Sequence, residues 1–195
     1  MAVAGILLGG GRSERFDGDK LAATIDGVRV LDRACAHFLE AGLEPVVFCG
    51  AHVPADPRVL RAPRGARMLE TLRHGIEAIG ARPFAFAPAD LAFLAPDVIR
   101  TLCATFEERG VRYLVPVHGG RGGHPAFARD AAAFLDPALE GGARGVWRRA
   151  GDELLRLPVE TADILYDIDT RADLAAAGTA ESRRARLVEK GDLSA

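Results

Sequence analysis

Residues 2–20 read AVAGILLGGGRSERFDGDK. Val3 to Leu8 is a short apolar run stopped by glycine, the mark of a strand buried on both faces. Gly9, Gly10 and Gly11 then present bare backbone N–H groups and accept positive φ, so the chain can curl around an anion. Arg12, Arg15 and Lys20 add positive charge and Ser13 adds a hydroxyl donor. In open parallel sheets ligands bind outside the carboxyl ends of the strands, which is where this loop falls. A tight turn would account for the glycines but not for the three cations. The loop therefore suits a di- or triphosphate.

Spacing excludes two common phosphate motifs. A G-x-G-x-x-G beginning at Gly9 would need glycine where Glu14 stands. A P-loop needs G-K-[ST], but Lys20 follows Asp19 and precedes Leu21. The loop is long enough to wrap a whole nucleoside triphosphate.

Outward from the loop, strand and helix patterns alternate. VRVLDRACAHFLEAG places Val30, Leu31, Ala34, Cys35, Phe38 and Leu39 on one helical face, with Gly42 as a stop. EPVVFCG reads as a strand, RMLETLRHGIEAIG as a helix, RPFAFAPAD as a strand ending in an acid. PDVIRTLCATFEERG is a helix opened by Pro96 and closed by Gly110, and RYLVPV is a strand. Apolar rather than alternating strands imply parallel pairing under helices on both faces. The fold expected is α/β: a doubly wound, mostly parallel, Rossmann-like sheet with a small antiparallel addition. After residue 117 the pattern breaks into a glycine-rich stretch followed by a helix, then LLRLPVE, read as a strand of antiparallel type. Thr170 reads as an N-cap. One domain is expected over 1–178, with 179–195 as a charged, solvated helix or frayed tail.

The chain has 195 residues, 49% of them apolar, and a formal net charge of −2. That is enough apolar content for a core and too little positive charge for a general nucleic-acid binder, so an anion site must be local. The three cysteines are widely spaced, with no C-x-x-C, and read as small core residues in a reducing cytoplasm. No apolar run approaches a membrane span. Neither nucleic acid nor membrane is expected as a partner.

Asp90 follows a strand at its carboxyl end, in the layer of the glycine loop. The residues after it do not begin a clear helix, which favours a metal role over a helix cap. Asp167 and Asp169, two apart in an extended segment, point to one face and need a cation or donors between them. His124 lies in GGRGGHP, a loop after a strand, and Arg121 stands nearby; both are candidates for holding an acceptor phosphate.

Five segments in order resemble the MobA-like nucleotidyltransferases, a family that includes the molybdenum cofactor guanylyltransferase and cytidylyltransferase. They are LGGGRSERF continuing to Asp19-Lys20, LRHGIEAI, PADLAFLAPDVI, GGHPAF and YDIDTRADLAA. Asp17 departs from the signature where it has glycine, and Arg171-Ala172 depart where it has Pro-Glu. The resemblance implies a nucleoside triphosphate bound by Leu8, Gly9, Gly10, Gly11, Arg12, Ser13, Arg15 and Lys20. It implies catalysis by Arg15, Lys20 and Asp90, with Mg2+ held at Asp90, Asp167 and Asp169. The acceptor it implies is molybdopterin, and molybdoenzymes or cofactor-biosynthesis proteins are the partners it suggests. Gly10 points slightly to GTP, while LRHGI, GARGVWRR and DIDT look more like the cytidylyl branch. Another phosphorylated acceptor, such as a sugar phosphate, remains the alternative, and a non-catalytic nucleotide-binding assembly factor stands behind both.

Overall fold

The computed structural model describes residues 2–10 and 15–193. Its strands are β1 (Ala4–Leu8), β2 (Thr24–Ile25), β3 (Val28–Arg29), β4 (Val46–Cys49), β5 (Leu60–Ala62), β6 (Phe84–Pro88), β7 (Tyr113–His118), β8 (Arg121–Gly122), β9 (Ala126–Ala128) and β10 (Leu154–Pro158). Its helices are α1 (Val30–Glu40), α2 (Met68–Ile79), α3 (Pro96–Arg109), α4 (Ala132–Leu135), α5 (Ala143–Ala150), α6 (Arg171–Ala175) and α7 (Ala180–Glu189). The main sheet runs β10-β7-β9-β6-β1-β4-β5, with β8 beside β7, and β2 and β3 form a separate hairpin. β1 pairs in parallel with both β4 and β6. The chain thus winds outward from β1 through β4 to β5, then returns to the other side of β1. That reversal places the carboxyl ends of β1 and β6 at the switch point, where open α/β sheets bind ligands.

Both faces of the sheet are covered. Ile6, Val47, Cys49, Phe84 and Phe86 pack with α2 on one face. Leu7, Val46, Phe48, Ala85 and Ala87 pack with α1 and α3 on the other. Each large side chain fully buried here contributes roughly 1.5–3 kcal/mol. α2 lies so close to the sheet that a Cβ on Gly75 would stand 2.5 Å from Ile6 and 2.9 Å from the Cys49 sulfur; no larger residue fits there. α3 opens at Pro96 and ends at Gly110 in the left-handed conformation, φ 62°, as the sequence implies.

Three readings need correction. Ala126–Ala128, expected as part of a glycine-rich run before a helix, is a buried antiparallel strand between β6 and β7. Conversely, β10 pairs in parallel with β7. The segment from 179, expected as a charged, solvated helix or frayed tail, carries a helix, α7, but not a solvated one: Leu187 is buried with Ala162 and Tyr166, and Arg183 clamps Asp163 at 2.6 Å. Cys35 and Cys49 are buried free thiols and Cys103 is half-buried. No described helix is long and apolar enough to cross a membrane.

Candidate active site

Three segments meet at the switch point. The loop after β1 and the one after β6 are tied by the Ala89 N–H, which donates to the Leu8 carbonyl at 3.0 Å. The 166–169 segment joins them through the Ile168 N–H, 3.4 Å from the Asp90 carbonyl. Gly11, Arg12 and Ser13, assigned to the phosphates, lie outside the described residues. Gly9 and Gly10 do lie at the mouth of the site. A Cβ on Gly9 would meet the Phe48 ring at 2.5 Å, so the loop can approach the sheet only without a side chain.

Lys20 is the hub. Its Nζ forms an ion pair with Asp90 and lies 3.2 Å from Asp169 Oδ1. Arg15, largely exposed, reaches Asp169 Oδ2 at 2.8 Å. Asp90 is not a helix cap; α3 begins after Ala95. Asp90 is buried, and its Oδ1 has no hydrogen-bond partner. Burial raises its carboxyl above the ordinary range, against the pull of Lys20 and with a further push from Asp167 and Asp169. Burial alone would lower Lys20, but Asp90 and Asp169 outweigh it and hold the ammonium above its ordinary value. Asp167 is raised by burial and by Asp169.

Two residues that the sequence did not mark belong here. Asp173 is fully buried. It closes a capping box with Thr170 and accepts from the Asp169 N–H at 3.0 Å. Lys190, from the segment after α7, lies 3.6 Å from both Asp167 and Asp173 and 4.0 Å from Asp169. A single lysine in a charged stretch carries no signal of such a position. The departures at Asp17 and Arg171 explain each other. Asp17 turns with φ 54°, and its carbonyl accepts from Arg171 Nη2 at 3.2 Å, while Arg171 also stacks over Phe16.

Three hollows surround this cluster. A recess of about 90 Å³ by Gly9, Lys20, Met68 and Asp90 also takes in His52 and Arg64. His52 follows β4 at its carboxyl end, so the rule that found the glycine loop could have found it; it pairs with Asp19 at 2.6 Å. A cleft of about 470 Å³ is lined by Arg15, Arg121, His124, Asp167, Asp169 and Lys190. Arg121 there is paired with Asp192 at 2.8 Å. Burial pushes the His124 imidazole down to about 4, with only a small counter-pull from the Phe86 backbone, so it is neutral at neutral pH. A third cleft, of about 710 Å³, shares Arg121 and His124 with the second and extends under α5.

A glycine loop, a half-buried lysine and converging carboxylates at the switch point of an open α/β sheet define a nucleotidyltransferase. The chain belongs to the MobA-like NTP transferase domain family, whose model matches residues 5–155. Solved structures share the fold. Rv0371c from Mycobacterium tuberculosis H37Rv is 20% identical, with TM-score 0.71, covering 97% of this chain and 99% of that one. The same protein has been solved in complex with manganese, at TM-score 0.66, 18% identity and 90% and 97% coverage. The 2-C-methyl-D-erythritol 4-phosphate cytidylyltransferase from Thermus thermophilus is 16% identical, TM-score 0.69, covering 94% and 100%. Molybdopterin-guanine dinucleotide biosynthesis protein A from Archaeoglobus fulgidus is 18% identical, TM-score 0.66, covering 90% and 96%. No curated protein matches the sequence.

Proposed function

We propose that this protein transfers a nucleoside monophosphate from a nucleoside triphosphate to molybdopterin, releasing pyrophosphate, with Mg2+ as cofactor and GTP ahead of CTP as donor. The observation that carries the reading is the Lys20–Asp90–Asp169 cluster beside Gly9. A structural ion pair would leave both carboxylates satisfied, whereas Asp90 keeps a buried oxygen without a partner.

A divalent ion fits this donor set. The oxygens are hard, and Mg2+ takes one or two carboxylates with the remainder from water and phosphate. Among the described residues no three His, Cys, Asp or Glu side chains form a metal shell by themselves. The manganese bound to the M. tuberculosis relative supports a divalent ion. Asp90, with Asp167 and Asp169, would hold such an ion, which would supply positive charge to the phosphate oxygens. Lys20 and Arg15 hold the triphosphate, and Asp90 and Asp169 keep those cations oriented between turnovers. The acceptor phosphate has its second pKa at ~6, so it reaches the site largely as a dianion. Its oxygen bonds to the α-phosphorus as the bond to the bridging oxygen breaks and pyrophosphate leaves. No protein base is required, and catalysis is positioning with charge stabilisation. Neutral His124 and Arg121 line the side from which the acceptor would enter.

The likeness to the methylerythritol phosphate cytidylyltransferase favours a second reading, in which another phosphorylated metabolite is the acceptor. Pyrophosphate release, measured with Mg2+, each of four nucleoside triphosphates and a panel of phosphorylated acceptors, tests both. Turnover requiring molybdopterin supports the first; turnover with a sugar phosphate alone supports the second. No release under any condition overturns both.

A further inference from the structure

The turn that ends α7 brings two opposite charges into the cleft of about 470 Å³ beside Asp167 and Asp169. The Asp192 N–H donates to the Leu187 carbonyl at 2.8 Å and the Gly191 N–H to the Val188 carbonyl at 3.0 Å. Gly191 is left-handed, with φ 73°. This pair of hydrogen bonds is a Schellman stop, which fixes the direction of the chain after a helix. Leu187 ties the same helical turn to Ala162 and Tyr166. The backbone at Lys190 and Asp192 is therefore set, and the freedom that remains belongs to their side chains.

Lys190 Nζ is buried and has no hydrogen-bond partner among the described residues. It stands 3.6 Å from Asp167 and Asp173 and 4.0 Å from Asp169. A lysine that served as a structural tie would donate hydrogen bonds; this one is held among three carboxylates by charge. Two of the three acids have closer partners. Asp173 has Arg186 at 2.8 Å, and Asp169 has Arg15 at 2.8 Å and Lys20 at 3.2 Å. Asp167 has no other ion pair among the described residues.

Asp192, two residues on, pairs with Arg121 at 2.8 Å, and Arg121 also donates to the Gly191 carbonyl at 3.3 Å. One turn thus gives the acids a cation and the arginine an anion. Neither is needed for overall neutrality, because the other charged side chains lining the cleft, Asp167, Asp169, Arg15 and Arg121, already balance. What the turn adds is occupancy: each charged group of the cleft that would meet a ligand already faces a charge of the ligand's sign.

We infer that this turn is a built-in pair of exchangeable counter-ions. Lys190 occupies Asp167 and Asp169 in competition with a divalent cation, and Asp192 occupies Arg121 in competition with an anion. An ammonium and a divalent ion on the same carboxylates repel each other, so Lys190 must swing away as the ion enters. The turn thereby weakens the hold of the cleft on both its charged ligands. This rests on the reading of Asp167 and Asp169 as metal carboxylates.

Mn2+ affinity of the full chain, read by electron paramagnetic resonance without nucleotide, tests the first half. Lys190→Met should tighten Mn2+ binding at least ~10-fold, since net ligand charge tunes the affinity of such sites. Lys190→Arg, which keeps the charge, should stay near the wild type. Inorganic phosphate, titrated without metal against thermal unfolding, tests the second half. Asp192→Asn should tighten phosphate binding at least ~3-fold, a modest gain because the Arg121 pair is half-exposed, and adding Arg121→Gln should cancel it. Damage to the fold weakens binding, so a gain identifies a competitor. Unchanged or weaker Mn2+ binding in a folded Lys190→Met protein overturns the inference, as does unchanged phosphate binding in Asp192→Asn. Lys190→Gln serves the same comparison if the methionine variant does not fold. A wild type that binds no Mn2+ would remove the metal reading itself and the inference with it, whereas wild-type binding with no response to Lys190→Met removes the inference alone.

Discussion

The backbone N–H of Asp169 donates to the carboxylate of Asp173 over 3.0 Å. The acid that meets Lys20 and Arg15 is therefore set in place by one that is itself sealed from solvent. Asp173 in turn is held by Arg186 at 2.8 Å, so α7 braces the 166–169 segment from behind. Asp173→Asn should destabilise the protein by about 2–4 kcal/mol at pH 7, from a broken buried ion pair and a weakened cap. Burial opposes the charge on Asp173, but Arg186 and the backbone N–H groups prevail, and its carboxyl lies below the ordinary 3.8. A depressed carboxyl stabilises above its unfolded value and loses that contribution as pH falls through the folded one. Urea midpoints of wild type and variant should thus differ at pH 7, with the gap beginning to close only below about pH 4 and vanishing below the depressed folded value. A gap as wide in acid as at neutrality would refute the ionic account.

Lys20→Met should lower turnover at least ~10-fold, by removing a charged donor to the triphosphate. It also leaves Asp90 and Asp169 facing each other without their cation, so the apo variant should melt below the wild type. Millimolar Mg2+ or Mn2+ should recover more stability in the variant than in the wild type, because the ion then supplies the missing charge. Melting curves with and without metal check this; equal metal responses would mean that Lys20 and the ion do not share these carboxylates.

Asp90→Asn retains an oxygen to accept from Lys20 but removes the charge that a hard cation needs. Mn2+ affinity, measured by electron paramagnetic resonance, should fall at least ~10-fold, with little change in melting temperature. A large loss of stability with unaltered Mn2+ affinity would mark Asp90 as structural.

The parts of the molecule that the sequence announced are those where one physical demand dominates a whole segment. β1, β4 and β6 are buried on both faces, so they read as apolar runs. Pro96 and Gly110 mark helix ends by their backbone chemistry, and Thr170 does so by its side-chain hydroxyl. β9 is three residues long, and Ala126–Ala128 has too short a pattern to show a period. The pairing direction of β10 depends on where the chain re-enters the sheet, which Leu154–Pro158 do not encode. Asp90 was visible because it follows the end of a strand, and the 167/169 pair because two carboxylates two apart in an extended segment share a face. Asp173 and Lys190 were not, because their meaning comes from contacts with residues well separated from them along the chain, Arg186 for the first and Asp167 for the second.

Base preference is the last outcome to expect. Guanine presents a ring N–H and an amino donor beside a carbonyl, whereas cytosine presents an amino donor beside ring-nitrogen and carbonyl acceptors. A recess that pairs with one leaves buried groups unpaired with the other, at about 1–3 kcal/mol per group. GTP should therefore exceed CTP by at least ~10-fold in kcat/KM. Gly10 lies against α2: a Cβ there would stand 3.0 Å from Thr71 Oγ1 and 3.8 Å from the Met68 sulfur. Thr71 is not free to yield, since its hydroxyl accepts from the Gly65 N–H at 3.1 Å and donates to the Arg67 carbonyl at 3.1 Å. In Gly10→Ala the loop itself must shift by a few tenths of an ångström, next to Gly9, which lines a recess of only about 90 Å³. The larger purine has less room to accommodate that shift, so the variant should narrow or reverse the GTP preference. Steady-state kinetics with both triphosphates decide it. A wild type that prefers CTP would overturn the assignment of the donor, and a variant with an unaltered ratio would remove Gly10 from base selection.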